Sequence, residues 1–575
     1  MREAMLPPVV SHRRNAALSM VALLGAALVA QAKPQKPPAE DPAQAADLQS
    51  FATWMSDYRA GAYRFYKNDK LDEEAIARCD AMFGKVAKWN TLAAARALFE
   101  AACFQAPAVE GSSASNNLDY LRELQPWRVQ TMACNHLRTM TGEGILPWML
   151  QKLQAPGVRA GRHQEQVEAT AVLRTLGGHK SVEAQLALLQ ACSAMPTELR
   201  VHAVNAMAKD ATLELVPTLI EMLRDSEPNV RIAAANAIGT AMQPHVDESL
   251  GKKPEGTTLT LRDQTITKLT ELLIRDQIWQ VRSAAAFSLA SMKCKPVVPA
   301  LISGLDAELK RKKDPWAMDL RLHRLLEGLT QQSVVFGGGI AMWQDFWNRE
   351  GPTFTVKPPT KAGEAEPKND RYQKFFNLRI ESDRVLFVID FSGSMAEPIT
   401  LKSGTTVVRA GETTTKAAIV VSELKKLIMS MPDGALINLV VFSDLVRIWR
   451  PTGTRPELVK LTDEARDDLI GSFLDSLRPS GPTNLYDALN TALDFAGRGL
   501  QDKYYAAGFD TLYVISDGAP TAGAVVDKDE IRRRVREANQ LRKLTIHCIT
   551  FGDKNDTDFL GPMATENGGR HIHIE

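Results

Sequence analysis

Cysteine is scarce in this chain: Cys79, Cys103, Cys134, Cys192, Cys294 and Cys548 are the 6 in 575 residues. None stands in a C-x-x-C pair, which excludes zinc-ribbon and dithiol redox motifs. The density is far below that of a disulfide-built scaffold. Buried thiols on helices are the expected state, and the even count leaves room for disulfides among the first three. Histidine is also sparse, with 10 residues, and none falls in a recognisable nucleophile, base and orienter set. The Gly-rich turn Phe336-Gly337-Gly338-Gly339 lacks the Gly-Lys-Ser/Thr ending of a phosphate loop. An excess of one charge is missing too: 69 Lys and Arg stand against 68 Asp and Glu, for a net +1. No global field draws the chain to nucleic acid or anionic membrane. The basic runs Lys310-Arg311-Lys312-Lys313 and Arg532-Arg533-Arg534 carry no interleaved aromatics and read as solvated helix faces.

The apolar run from Ala16 to Ala30 is too short for a membrane span, which needs about 20 residues. Arg13-Arg14 precedes it and Ala30-Gln31-Ala32 follows, so residues 1–32 read as a secretory signal peptide. Export to a periplasm, cell envelope or extracellular space is expected, with no stable membrane span after cleavage. An uncleaved amino-terminal anchor is the alternative.

At 575 residues the chain is too long for a single core. Residues 33–46 are rich in Pro, Ala, Gln and Lys and read as a flexible linker. Residues 47–160 have an irregular helical pattern, with Trp54, Tyr58, Tyr63 and Phe65 expected to fill its core. A repeat follows over 161–335. Leu199-Arg200-Val201, Val230-Arg231-Ile232 and Val281-Arg282-Ser283 each open a helix of small residues, and a partner helix precedes each. The wider gap between the last two arginines predicts an inserted loop from Gln243 to Leu261. Gln166 to Arg174 starts the series and Asp319 to Leu329 ends it. These units resemble HEAT-like repeats, which bury their faces only by stacking into a solenoid. The resemblance implies an extended protein-binding surface, or else a spacer. Trp343-Gln344-Asp345-Phe346-Trp347 predicts a helix capping the array, within a connector and linker over 336–381.

From 382 to 575 the period changes. Strands at Val385–Phe391, Ile437–Phe442, Leu445–Trp449, Thr511–Ser516 and Leu544–Phe551 alternate with helices, predicting a doubly wound, mainly parallel sheet of Rossmann-like type. The first strand delivers Asp390, Ser392 and Ser394 on a tight loop. All three end in hard oxygens, which suit a cation such as Mg²⁺. Ser480-Gly481-Pro482-Thr483-Asn484 is a turn into a helix, and Ser516-Asp517-Gly518 closes a second buried strand. Together these motifs resemble the metal-ion-dependent adhesion site of the von Willebrand factor type A family. The resemblance implies that Asp390, Ser392, Ser394, Thr483 and Asp517 hold Mg²⁺, with Mn²⁺ or Ca²⁺ as alternatives. It also implies a position left open for an Asp or Glu carboxylate of a protein partner. One departure stands out: Ala396 to Thr414 intervenes before the next helix. Ile399 to Val408 reads as a hairpin about Ser403-Gly404, placing Ile399, Leu401, Thr406 and Val408 at the rim as partner-binding candidates. His571 and His573 share one face of a terminal strand.

The fold class expected is therefore multidomain: an all-α HEAT-like solenoid, then an α/β doubly wound von Willebrand factor A domain. The function expected is non-enzymatic: metal-dependent capture of an acidic partner residue, with the repeats as a second protein-binding surface. The alternative is a scaffold or regulatory subunit of an envelope or secretion complex, with the solenoid binding and the metal domain switching.

Overall fold

The computed structural model describes residues 41–574, except 68–69, 106–116, 180, 209–210, 312–316, 333–338, 358–373, 377, 381, 402–408, 410, 452–455, 494–507, 524 and 552–557. The expected signal peptide lies outside the described residues. A helix, α1 (Pro42–Arg59), begins within the stretch read as a linker. No described helix is long and apolar enough to cross a membrane.

Helices α2 (Glu73–Lys88), α3 (Leu92–Cys103), α4 (Asn117–Arg138) and α5 (Ile145–Leu153) follow a two-residue strand pair, β1 (Tyr66–Lys67) and β2 (Lys70–Leu71). Trp54, Tyr58 and Phe65 are buried as expected, with Trp54 edge-on to Phe83 at 5.3 Å, whereas Tyr63 is exposed. A short turn of helix, α6 (Pro156–Arg159), leads to α7 (His163–Leu176). The repeats are the pairs α8 (Val182–Ala194) with α9 (Thr197–Met207) and α10 (Val216–Met222) with α11 (Pro228–Val246). Then come α12 (Gly256–Arg275) with α13 (Trp279–Ser291), and α14 (Val297–Lys310) with α15 (Met318–Thr330). The insertion expected as a loop is mostly helix: α11 runs on to Val246 and α12 already starts at Gly256. Cap α16 (Gly339–Glu350) buries Trp343, whose indole N–H donates to His323 Nδ1 at 2.7 Å. All six cysteines are free thiols, five of them buried.

The repeat arginines have a shared task. Arg200 makes a two-pronged pair with Asp225 (2.7 and 2.8 Å). Arg231 does the same with Asp276 (2.8 and 3.1 Å), and Arg282 with Glu308 (2.6 and 3.4 Å). Each acid belongs to the following repeat unit or the turn before it, so the arginines stitch neighbours together. Fork-shaped guanidinium matches carboxylate geometry, and each arginine also satisfies main-chain carbonyls, as Arg282 does for Asp276 and Gln277.

Arg321 occupies the same place in the last pair, flanked by Leu320 and Leu322. Among the described residues no further repeat pair follows it, and it reaches instead into the carboxyl-terminal domain. It donates to the main-chain carbonyls of Asp510 (2.8 Å) and Lys543, and its guanidinium lies 4.8 Å over the Trp279 ring. Ala317 N–H donates to the Asp510 carboxylate at 3.1 Å. Lys543 Nζ donates to Asn236 at 2.6 Å, and Gln540 faces Asn205. The domain is thus docked along the repeats, on α9, α11 and α15, while α16 packs on α14 at the end of the array.

That domain is a 7-stranded sheet in the order β10-β8-β5-β11-β12-β13, with β9 on β8. The strands are β5 (Arg384–Asp390), β8 (Leu436–Phe442), β9 (Val446–Ile448), β10 (Val459–Lys460), β11 (Thr511–Ser516), β12 (Thr545–Phe551) and β13 (His571–Ile574). Strands β8, β5, β11, β12 and β13 are mutually parallel, while β9 and β10 run antiparallel to β8. Helices α17 (Lys416–Ser430), α18 (Asp463–Asp467), α19 (Leu485–Leu493), α20 (Lys528–Arg542) and α21 (Leu560–Glu566) accompany it. The helix expected over Asp463–Leu477 is helical only in part as an α-helix: a π turn spans Asp468–Phe473 and a 3₁₀ turn Leu474–Ser476. The core begins earlier than 382. A small pair, β3 (Lys374–Phe375) and β4 (Leu378–Arg379), inserts Phe375, Phe376, Leu378 and Ile380 into it.

One buried group near the docking face makes folding acid-sensitive. His547 is fully buried, stacked on Tyr513 at 4.7 Å, and its Nδ1 accepts the Arg570 N–H at 3.1 Å. Burial, together with Arg324, Arg570 and Arg321, holds its pKa well below 6.5. The unfolded chain therefore binds a proton at this group that the folded one refuses, and the group's contribution to stability falls as pH drops below 6.5. Each pH unit costs about 1.4 kcal/mol until the folded value is reached. Urea midpoints at pH 7 and pH 5.5 are expected to show His547→Phe losing about 1.4 kcal/mol less than wild type. Equal losses would remove His547 as the cause.

Candidate metal centre

The apolar strand β5 is buried on both faces because β8 and β11 flank it and helices cover the sheet. It ends in Asp390, whose carboxylate Oδ1 accepts the Ser392 N–H at 2.8 Å and so folds the chain into a turn. That turn presents Ser392 and Ser394, with their hydroxyls 3.1 Å apart. Strand β11 ends alongside, and Ser394 Oγ donates to Asp517 Oδ1 at 2.8 Å. Ser516 Oγ donates to the other Asp390 oxygen at 2.7 Å. The Thr483 loop is brought to the same end of the sheet by two main-chain bonds: Gly393 N–H to Gly481 carbonyl (2.8 Å) and Ser480 N–H to Phe391 carbonyl (2.9 Å). Gly481 sits at φ +75°, with Asp444 close against it, where a side chain would be strained and crowded. Thr483 itself is buried and fixed by Thr521, whose hydroxyl accepts its N–H at 2.9 Å. Asn484 Oδ1 then caps α19 through the Asp487 N–H.

Asp390, Ser392, Ser394 and Asp517 are thus joined in one hydrogen-bonded set, and the loop bearing Thr483 is tied to it. Among the described residues no three His, Cys, Asp or Glu side chains form a metal cluster. The set instead offers two carboxylates and two hydroxyls, with the Thr483 hydroxyl on the tied loop; all are hard oxygens, which fit a hard divalent cation. Burial lifts the Asp390 carboxyl to about 6, against the hydrogen bonds from Ser516 and Ser392, and the Asp517 charge adds to the lift. A cation seated beside it relieves that penalty by favouring the ionised form.

Two side chains at the site had no part in the sequence reading. Ser516 is one; its place just before Asp517 at a strand end was the available signal. Lys416 is the other. Its ammonium donates to Asp517 Oδ2 (2.7 Å), Glu397 Oε2 (2.9 Å) and the Ser394 carbonyl (3.3 Å). Burial pulls its pKa down, but the hydrogen bonds and charges of Asp517 and Glu397 outweigh that and raise it.

The expected rim hairpin is different from the one read. Strand β6 (Pro398–Thr400) pairs with β7 (Thr413–Thr415), with Ile399 opposite Thr414 and Thr400 opposite Thr413, whereas a hairpin from Ile399 to Val408 would have paired those two residues. Leu401 is 1% exposed and belongs to the core, and Ile399 packs against that core. Leu401 is therefore a core residue and not a rim contact, while Ile399 is half-buried. Thr406 and Val408 lie outside the described residues. His571 and His573 both meet the Thr550 hydroxyl, at 2.8 and 2.9 Å.

Residues 165–252 match the family model of HEAT repeats, and residues 406–572 match that of the von Willebrand factor type A domain. The chain carries HEAT repeats followed by a von Willebrand factor type A domain, both protein-binding modules. The second match includes Thr483 and Asp517 and starts after Asp390, Ser392 and Ser394. The chain is similar to inter-alpha-trypsin inhibitor heavy chain H6 of Homo sapiens, 26% identical over 247 residues, spanning 42% of this chain and 16% of that protein. Among solved structures, a von Willebrand factor type A protein from Catenulispora acidiphila aligns with TM-score 0.24 and 18% identity, over 34% of this chain and 40% of that one. The CpcE–CpcF complex of phycocyanin lyase from Nostoc sp. PCC7120 aligns with TM-score 0.21 and 14% identity, over 52% of this chain and 98% of that one.

Proposed function

We propose that this chain is an exported, non-enzymatic binding protein that holds Mg²⁺ on Asp390, Ser392, Ser394, Thr483 and Asp517. There it captures an Asp or Glu side chain of a protein partner, and the helical repeats offer a second protein-binding surface. The observation that carries the reading is the hydroxyl-rich oxygen set at the carboxyl ends of β5 and β11, where open α/β sheets place their ligands. Two carboxylates balance one divalent charge, so an outside carboxylate completes the shell at little electrostatic cost. The two carboxylates offset the cation's charge, which argues against a strongly activated water and so against hydrolysis.

The test is a pull-down from the source envelope fraction with residues 33–575 as bait. It is run with Mg²⁺, with chelator, and with Asp390→Ala. A partner retained only by wild type with Mg²⁺ is the expected result. Retention under all three conditions rejects metal-dependent capture and favours the scaffold reading. In that reading the solenoid binds and the metal domain switches, and the stitched contact through Arg321 supports it by making array and domain one body.

A further inference from the structure

Lys416 stands where helix electrostatics disfavour it. It is the first residue of α17, at the positive end of the helix dipole, and its side chain is 8% exposed. Three oxygens hold it: Asp517, Glu397 and the Ser394 carbonyl. The strands β6 and β7 set its position, with Pro398 opposite Thr415 and the Lys416 N–H on the Glu397 carbonyl at 3.2 Å. The ammonium therefore engages the one Asp517 oxygen that the Ser394 hydroxyl does not. Glu397, whose side chain is 64% exposed, lies on the other side of the ammonium.

We infer that Lys416 is a built-in cation that competes with the metal for Asp517, with Glu397 as its resting place when the metal is bound. This rests on the reading of the site as a metal centre. A divalent ion on the Ser394 side of Asp517 and an ammonium on its other oxygen sit on one carboxylate and repel each other at that distance. Entry of a divalent ion therefore moves the ammonium off Asp517 and onto Glu397, which it already touches. The consequence has two parts. Metal binding is weaker than the same oxygens would give alone. The loaded site also carries one more positive charge than it would without the lysine, so an incoming partner carboxylate gains more. Lys416 thus exchanges metal affinity for selectivity toward anionic partners.

The experiment measures Mn²⁺ alone binding to the full chain by electron paramagnetic resonance, for wild type, Lys416→Met and Glu397→Gln. Lys416→Met is expected to bind Mn²⁺ roughly tenfold tighter, a gain on the scale of one nearby unit charge. Glu397→Gln keeps every metal ligand but removes the resting place, and is expected to bind about threefold or more weaker. A merely structural lysine moves the first number the other way, because a disturbed site binds metal less well. Wild type binding Mn²⁺ with Lys416→Met equal or weaker overturns the inference and leaves the metal centre standing. Binding by neither protein overturns the metal centre itself. If Lys416→Met fails to fold, judged by circular dichroism, Glu397→Gln decides: unchanged Mn²⁺ affinity rejects the exchange of partners, and weakened affinity supports it.

Discussion

Replacing Arg321 with Met is expected to cost about 3–5 kcal/mol and to uncouple the carboxyl-terminal domain from the helical array. Arg321 is 6% exposed and serves the Asp510 and Lys543 carbonyls and the Ser283 hydroxyl together. Methionine keeps the stem's packing near Trp279 but supplies no donor. The fully buried Asp510 then loses a balancing charge; burial already raises its pKa, and Arg321 is the largest of the influences opposing that, ahead of the hydrogen bonds from Ser382, Ala317 and Thr511. The check is urea unfolding followed by Trp fluorescence and by amide exchange in β11 and α15. Arg321→Met should lower the first midpoint and expose both elements together. Arg321→Met with Asp510→Asn should recover part of the loss, since a neutral amide needs no counter-charge. A single mutant as stable as wild type would mean the contact is incidental.

Removing Asp517 is expected to abolish the response to Mg²⁺. A ligand at one hundred times its Kd stabilises the state that binds it by about 2.7 kcal/mol. Wild type should therefore melt higher in Mg²⁺ and return on chelation. Asp517 joins the Ser394 hydroxyl to the Lys416 ammonium, with its side chain wholly buried. Asp517→Ala deletes one of the two carboxylates proposed to hold the cation, and the expected loss in affinity is at least about 100-fold, or about 2.7 kcal/mol. Ser394→Ala removes a neutral ligand and should weaken binding far less. Differential scanning calorimetry in Mg²⁺ and in chelator reads both. An Asp517→Ala protein that still gains the full Mg²⁺ increment would place the cation elsewhere.

How much of this was legible in the sequence depends on the distance over which each feature is encoded. The strand ending in Asp390 announces itself, because burial on both faces demands a continuous apolar run. The repeat arginines recur with the same neighbours and were visible as a pattern, but their acids were not, since Asp225 and Asp276 fall in turns. Arg321 sat in the stretch read as the end of the series, yet its carbonyl partner at Asp510 is 189 positions away. The hold of Lys416 on Asp517 spans 101 positions and leaves no local trace. The early start of the domain was hidden because Phe375 and Phe376 follow a polar, linker-like segment. Leu401 was misassigned because alternation cannot say which face is inward until the pairing register is known.

The stitched array has a mechanical reading. Helix α20 is held near its first turn, where Arg128 of α4 pairs with Glu530 at 3.2 Å, and at its far end, where Gln540 and Lys543 meet Asn205 and Asn236. At about 1.5 Å per helical residue, about 15–20 Å separate those contacts. One contact would be a hinge, whereas two so far apart form a bracket that fixes an angle. Under the proposed function, a partner held at the Asp390 and Thr483 loops would sit at a set distance and bearing from one lying on the repeats. The molecule acts as a gauge block, and lengthening the array by one repeat would move one cargo relative to the other by a predictable step.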